Sequence, residues 1–151
     1  MREILFRGKR ADNGEWVEGY YANFNSDLHY IYTGYAETDV DSIYPDCFVV
    51  IPETVRQYTG LCDKNGNMIF EGDILKVRKK IFVVKFGDYE PKMFYNLLER
   101  YVLFQRPKEK AHGFFAEAKN GEQVILINVQ KYNEVIGNIH DNPELLKEGA
   151  K

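Results

Sequence analysis

The sequence predicts a mainly β fold, a β-rich α+β chain with one or two short helices, and three observations carry that prediction. Three glycine corners, Asp12-Asn13-Gly14, Asn65-Gly66 and Asn120-Gly121, stand between apolar segments. Asn-Gly is the strongest short-range hairpin signal, because a type I′ turn needs positive φ at both central residues. Eleven Tyr, ten Phe and one Trp favour pleated, half-buried surfaces over a helical bundle. Alternation of side chains, as in Tyr30-Ile31-Tyr32 and Leu75-Lys76-Val77, has the period of a strand.

The elements follow in order. Ile4 to Arg10 and Glu15 to Phe24 read as a hairpin around Asp12-Asn13-Gly14. Leu28 to Tyr32 continues an antiparallel meander after the Asn25-Ser26-Asp27 turn. Gly34 to Ser42 reads as an exposed acidic loop. Cys47 to Ile51 is a continuous apolar run, which suits a strand buried on both faces, and Pro52 ends it. Glu53 to Gln57 reads as an irregular connector or a single helical turn, and it is the expected junction between subdomains.

Beyond the junction, Tyr58 to Leu75 holds two sharp corners, Asn65-Gly66 and Glu71-Gly72-Asp73. Asp63 is placed to bond forward and start the first. Ile74 to Phe86 reads as a hairpin with its tip at Arg78-Lys79-Lys80, or as one long bent strand. Pro91 to Arg100 has Met93, Phe94, Leu97 and Leu98 at helical spacing and predicts a short amphipathic helix. Tyr101 to Phe104 fits helix continuation or strand, and Pro107 to Lys110 a basic loop. Phe114 to Ala118 and Glu122 to Val129 form the third hairpin, and Glu134 to His140 a final strand. Asn142 is the expected cap of a terminal helical turn opened by Pro143. The flanks of the three Asn-Gly corners do not match, so shared turn chemistry explains them and duplication does not.

Composition sets bounds on function. A chain of 151 residues buries about 70% of its unfolded surface, enough for a core without metal or disulfide. Its net charge of −3 argues against general affinity for nucleic acid or anionic membrane, though not against a local basic patch. Cys47 and Cys62 form no CxxC pair and are expected as reduced core thiols. No apolar run reaches membrane-spanning length, and Met1 to Phe6 is charged too early for a secretory signal. The expected compartment is the bacterial cytoplasm.

Catalytic chemistry is not visible. His29, His112 and His140 stand alone, without HExxH spacing, and no GxSxG, Walker loop or GxGxxG occurs. Asp63, Glu71 and Asp73 read as solvated turn residues. A divalent-metal cluster is a remote alternative, since the alternating oxygen-ligand loop of calcium sites is missing. Cys62, just before a turn, is the more accessible thiol but lacks an evident base. No catalytic residue, metal ligand or cofactor is assigned.

Two surfaces invite partners. Lys76, Arg78, Lys79, Lys80 and Lys85, with Phe82 and Phe86 among them, are the candidate nucleic-acid-binding residues. The bland account is that lysines protect a sheet edge or solubilise a hairpin tip. Arg100, Arg106, Lys108 and Lys110 are a possible extension. Tyr20, Tyr21, Tyr30, Tyr32 and Tyr35, with Gln130 to Asn133, suggest a protein interface, because Tyr gives large contact area with a polar tip.

Four segments resemble the YopX family of phage- and prophage-encoded proteins. They are Arg2 to Lys9, Asn13 to Val17, Val55 to Val77, and Glu134-Val135-Ile136-Gly137-Asn138-Ile139-His140-Asp141-Asn142-Pro143-Glu144-Leu145-Leu146. The resemblance implies a mainly β fold whose C-terminal part is a small, partly open SH3-like barrel. It implies a phage setting, and it carries no catalytic or binding residue across. The expected organisation is an N-terminal antiparallel β subdomain over 1–55, a C-terminal barrel-like subdomain over 56–146, and a frayed tail over 147–151. The expected function is non-enzymatic: a protein-interaction or self-assembling module, with a homo-oligomer as one form of it. A nucleic-acid-binding accessory protein is the alternative and a metal-dependent enzyme the remote one. Neither a membrane nor a small-molecule substrate is expected.

Overall fold

The computed structural model describes residues 4–25, 28–36, 44–90, 110–126 and 131–147. Over them the chain is mainly β, as expected, in two antiparallel sheets, neither of which closes into a barrel. No helix among the described residues is long and apolar enough to cross a membrane. The expected helix over Pro91–Arg100, the stretch Tyr101–Phe104 and most of the Pro107–Lys110 loop lie outside the described residues. The chain forms two compact units, Met1–Gly60 and Leu61–Lys151.

The first unit is the meander that the turn signals predict. Its strands are β1 (Phe6–Lys9), β2 (Trp16–Asn25), β3 (Leu28–Ala36), β4 (Tyr44–Val49) and the start of β5 (Arg56–Cys62), in the order β4-β3-β2-β1-β5. A 3-10 turn over Pro52–Thr54 leads into β5, and the Thr54 hydroxyl accepts the Lys9 N–H at 2.9 Å. The sheet curls, so that Val50 bridges to Arg10 and Ile51 N–H reaches the Lys9 carbonyl at 2.8 Å. Ile31 and Val50 are buried on the concave side. Gly19 permits that curl: a Cβ there would sit 2.0 Å from the Tyr32 carbonyl oxygen.

Two expectations for this unit need correction. The acidic loop does not begin at Gly34, because Gly34, Tyr35 and Ala36 still pair with β4; residues 37–43 lie outside the described set. The apolar run Cys47–Ile51 is not buried on both faces. Cys47, Val49 and Ile51 are exposed, while Val50 is buried. β4 is a terminal strand of its sheet, and its alternate residues Cys47 and Val49 are open to solvent.

The hairpin corners fall where expected, but their geometry is different. Arg78 is the single non-glycine residue with positive φ among those described. Asn13, Asn65 and Asn120 are therefore not in the left-handed region, and the corners are not type I′ turns. At Asp63–Asn67 the Gly66 N–H reaches the Asp63 carbonyl at 3.1 Å, Gly66 has φ 88°, and Asp63 N–H pairs with the Asn67 carbonyl at 2.8 Å. This is a type I turn followed by a left-handed glycine. Ala118–Glu122 repeats the bonding, with 2.9 Å for both. Glycine alone supplies the unusual φ.

The second unit carries the larger core. After β6 (Met68–Phe70) come β7 (Asp73–Val77), β8 (Lys80–Tyr89), β9 (Ala111–Ala118), β10 (Gln123–Ile125) and β11 (Asn133–Asn138), the last five in the order β10-β9-β8-β7-β11. Arg78-Lys79 is the two-residue tip between β7 and β8, as the hairpin reading expects, with Val77 opposite Lys80. Leu75, Val77, Phe82, Val84, Ala116 and Val124 face one way and join Ile69 and Leu126 in the core. A 3-10 turn over Pro143–Leu146 follows β11, but Asn142 does not cap it. Its side chain turns back to the Asn138 N–H, beside Gly137.

Candidate functional site

Asp63 lies at the centre of the densest polar cluster, and the cluster is structural. Its carboxylate accepts the N–H groups of Asn65 (2.8 Å) and Asn67 (2.9 Å) on one oxygen. The other oxygen accepts the Asn67 side-chain amide (3.1 Å) and the Val135 N–H (3.0 Å). Burial pushes the Asp63 carboxyl up, but the donors from Val135, Asn67 and Asn65 outweigh it and hold the group below the ordinary carboxylate range. Lys64 reinforces the join, with its N–H on the Asn133 carbonyl (3.2 Å) and its ammonium on Glu134 (2.6 Å). Ile139 N–H reaches the Gly72 carbonyl at 3.0 Å, and Asp73 pairs in register with Asn138.

The solvated reading of the acidic corner therefore fails for two of its three residues. Asp63 and Asp73 are buried, and Asp73 accepts the Phe70 N–H at 2.8 Å. Among the described residues, no group of three or more His, Cys, Asp or Glu side chains is placed to hold a metal. The corner and the segment from Glu134 onward are two halves of one interlock. A carboxylate saturated by four donors has no lone pair aimed at a substrate.

The basic run does not form one surface. Lys76 and Lys85 share the face opposite the core, since Lys76 pairs with Ile81 and Lys85 with Phe115. Lys80 is on the core-side parity at the strand end, and Arg78 and Lys79 occupy the tip. Lys80 pairs with Glu122 at 2.6 Å, and Lys85 with Glu117, whose carboxyl is lowered first by that bond and then by Gln123. The Arg78 guanidinium lies 5.6 Å from the Tyr132 ring. Phe82 is buried in the core, so it cannot stack on a base; Phe86 is exposed. Arg100, Arg106 and Lys108 lie outside the described residues.

The histidines and cysteines do not converge among the described residues. His29 bonds the Tyr21 hydroxyl, His112 bonds Asp88 at 2.6 Å on an exposed strand end, and His140 sits in the turn after β11. Both cysteines are free, but the core-thiol expectation fails for Cys47, which is exposed, and Cys62 is only half-buried.

The tyrosines sort by alternation. Tyr20, Tyr32 and Cys47 form one cross-strand row, and Ala22, Tyr30 and Val49 the next, all on the convex face. Tyr20 is 59% and Phe24 72% exposed. Phe24 meets Tyr30 edge-on at 5.9 Å, and Tyr30 lies 6.5 Å from Tyr32. Tyr21 belongs to the other face, against Phe6 at 5.4 Å. Tyr35 lies in β3 with its side chain outside the description, as is Gln130.

A second group on the same convex face escaped the linear reading. Arg7 stands opposite Arg56 on β5 and opposite Glu18 on β2, and Lys9 stands opposite Trp16. Arg7 lies 4.9 Å and Lys9 5.5 Å from the Trp16 ring. The signal was available: a hairpin about Asp12-Asn13-Gly14 sets Lys9 across from Trp16.

Comparison with known proteins yields no match among curated proteins. Among solved structures, the chain is similar to the crystal structure of protein EF1440 from Enterococcus faecalis. The two are 24% identical over 97% of this chain and 99% of that one, with a TM-score of 0.48. The family described as YopX protein matches residues 5–147, nearly the full length, and the chain belongs to that family.

Proposed function

We propose that this chain is a non-enzymatic protein-contact module whose working surface is the convex face of β2, β3 and β4. The observation that carries the reading is an uncharged patch of Tyr20, Phe24, Tyr30, Tyr32 and Val49, with three of these five exposed. Contiguous apolar surface of this kind marks interaction sites, and aromatic side chains are enriched in them. The partner is a second copy or another protein, and the setting is a phage-encoded protein in the bacterial cytoplasm. Among the described residues the acidic corner serves packing, which supports a binding role over chemistry.

Sedimentation velocity over a rising concentration series, together with affinity capture from lysogenic cells, tests the reading. Phe24→Ser and Val49→Ser are expected to abolish the association that the parent chain shows. A strictly monomeric parent that captures no protein would overturn the proposal.

A further inference from the structure

We propose that Asn65 is a site of spontaneous modification, where the carboxamide converts to aspartate and isoaspartate, and that the isoaspartate form opens the join between Asp63 and Val135. The site belongs to the second unit and the contact face to the first, so it does not rest on the protein-contact reading. The chemistry follows from the corner. The Gly66 nitrogen loses its proton and bonds to Cγ of Asn65. The Cγ–Nδ2 bond breaks, and ammonia carries that proton away. Water then opens the cyclic imide. Attack at Cγ gives aspartate. Attack at the main-chain carbonyl of Asn65 gives isoaspartate, whose backbone is longer by a methylene. Glycine in the next position removes the steric obstacle, because nothing lies within 4 Å of where a Gly66 Cβ would sit.

Three Asn-Gly corners share this chemistry, and their side chains tell them apart. Each glycine N–H donates to a main-chain carbonyl: Gly66 to Asp63 at 3.1 Å, Gly14 to Arg10 at 3.0 Å and Gly121 to Ala118 at 2.9 Å. The nucleophile is thus restrained alike in all three. The electrophile is not. Asn13 is held at both ends by Glu15, its amide nitrogen on the carboxylate at 2.7 Å and its oxygen on the N–H at 3.0 Å. The Asn120 oxygen accepts the Glu122 N–H at 3.1 Å. The Asn65 carboxamide is exposed and makes no hydrogen bond among the described residues. Bonds to the second residue along draw the Asn13 and Asn120 amides past the glycine nitrogen, and they must break before attack. A hydrogen bond of ordinary net strength lowers the freed population about fivefold. The expected rates therefore fall from Asn65 to Asn120 to Asn13, by about fivefold at each step.

The Asp63 carboxylate does not prevent the reaction but is its target. It holds the N–H groups of Asn65 and Asn67, not that of Gly66. The Asn65–Gly66 peptide can therefore swing toward the side chain by breaking the single 3.1 Å bond, with Gly66 absorbing the change in φ. Once the extra methylene is in place, the Asn67 N–H no longer meets the Asp63 carboxylate, and the Asp63 N–H no longer meets the Asn67 carbonyl, now 2.8 Å away. The carboxylate then loses the donors that aim its other oxygen at the Val135 N–H. Aspartate at the same position keeps the backbone length. Its added charge is exposed and screened by water, so the join survives it. The lengthened backbone, not the new charge, is what releases the final strand.

Incubation of the full chain in mildly alkaline buffer tests this. Peptide mapping by mass spectrometry measures conversion at each corner, and methylation by an isoaspartate-specific carboxyl methyltransferase separates the two products. A free Lys64–Asn67 peptide incubated alongside sets the clock. Asn65 is expected to convert first of the three corners. Exchange of the Val135 amide proton, read on the same samples, should quicken in proportion to the isoaspartate formed at 65. Asn65→Gln should suppress both changes. Freshly purified Asn65→Asp should protect the Val135 amide as the parent does, which separates charge from backbone length. Any of four results overturns the proposal: Asn13 or Asn120 converting before Asn65, Asn65 intact when the free peptide has fully converted, isoaspartate at 65 with the Val135 amide still protected, or fresh Asn65→Asp already losing that protection.

Discussion

Asp63→Asn keeps the size of the side chain at the join of two distant segments, yet it should cost the fold about 3 kcal/mol. The carboxylate offers acceptors at both ends: one oxygen takes the main-chain N–H groups of Asn65 and Asn67, the other takes the Asn67 amide and Val135 N–H. An asparagine has one acceptor end. If its oxygen stays with the turn, its NH2 faces two donors. The Asn67 amide can rotate to present its own oxygen, whereas the Val135 N–H is fixed in the strand. A partly buried donor left unpaired costs about 1–3 kcal/mol, and loss of the ionic character of the remaining bonds adds about 1 more. Asp63→Ala should fall within about 1 kcal/mol of Asp63→Asn, because Asn65 and Asn67 are exposed and water replaces the lost acceptor there.

Urea unfolding followed by circular dichroism gives the global figure, and exchange of the Val135 amide proton gives the local one. Acid sharpens the test. Asp63 is held below its ordinary range, so its stabilisation is complete above the unfolded-state value and is lost as pH falls through the folded one. The gap between parent and Asp63→Asn should hold at pH 7, begin to close near about pH 4 and shrink further below. A variant within about 0.5 kcal/mol of the parent, with the Val135 amide still protected, would refute the account of the interlock. So would a gap unchanged by acid.

Gly19→Ala should destabilise the first unit by about 3 kcal/mol or more, because the new Cβ meets the Tyr32 carbonyl oxygen at 2.0 Å and both are backbone-fixed; Trp16 emission against denaturant reads the loss. Gly66→Ala should cost about 1 kcal/mol or more, whereas Asn65→Ala should stay within about 0.5, since only the glycine has positive φ; equal costs in chemical denaturation would restore the type I′ turn. Lys85→Ala should cost less than about 1 kcal/mol, because its pair with Glu117 is on an open face where water screens it; a thermal shift that disappears at high salt is the expected signature.

Corners were the most legible part of the chain. Gly14, Gly66 and Gly121 turn it where the linear pattern places them, because a left-handed glycine is a local requirement. The turn class was not legible, since Asn beside Gly also fits a type I turn ending in a left-handed residue. Cys47 to Ile51 misled because an apolar run looks the same on a terminal strand with one open face as in a covered one. Asp63 was misread as solvated because its decisive donor, Val135, is 72 positions away. The charge cluster of Arg7, Lys9 and Arg56 was missed because it joins strands that are distant in sequence, while the contiguous run from Lys76 to Lys85 was dispersed by the very alternation that makes it a strand.

The Asp63–Val135 bond also bears on how the protein is made. β11 is the last strand among the described residues and adds to β7, so the second unit stays incomplete until β11 has left the ribosome. Until then the emerging polypeptide holds a carboxylate built for burial and a β7 edge open to other chains, and nascent molecules at that stage need shielding from one another. Once the final strand docks, a closure spanning most of the unit is made in one late step, which favours slow, all-or-none maturation over gradual ordering.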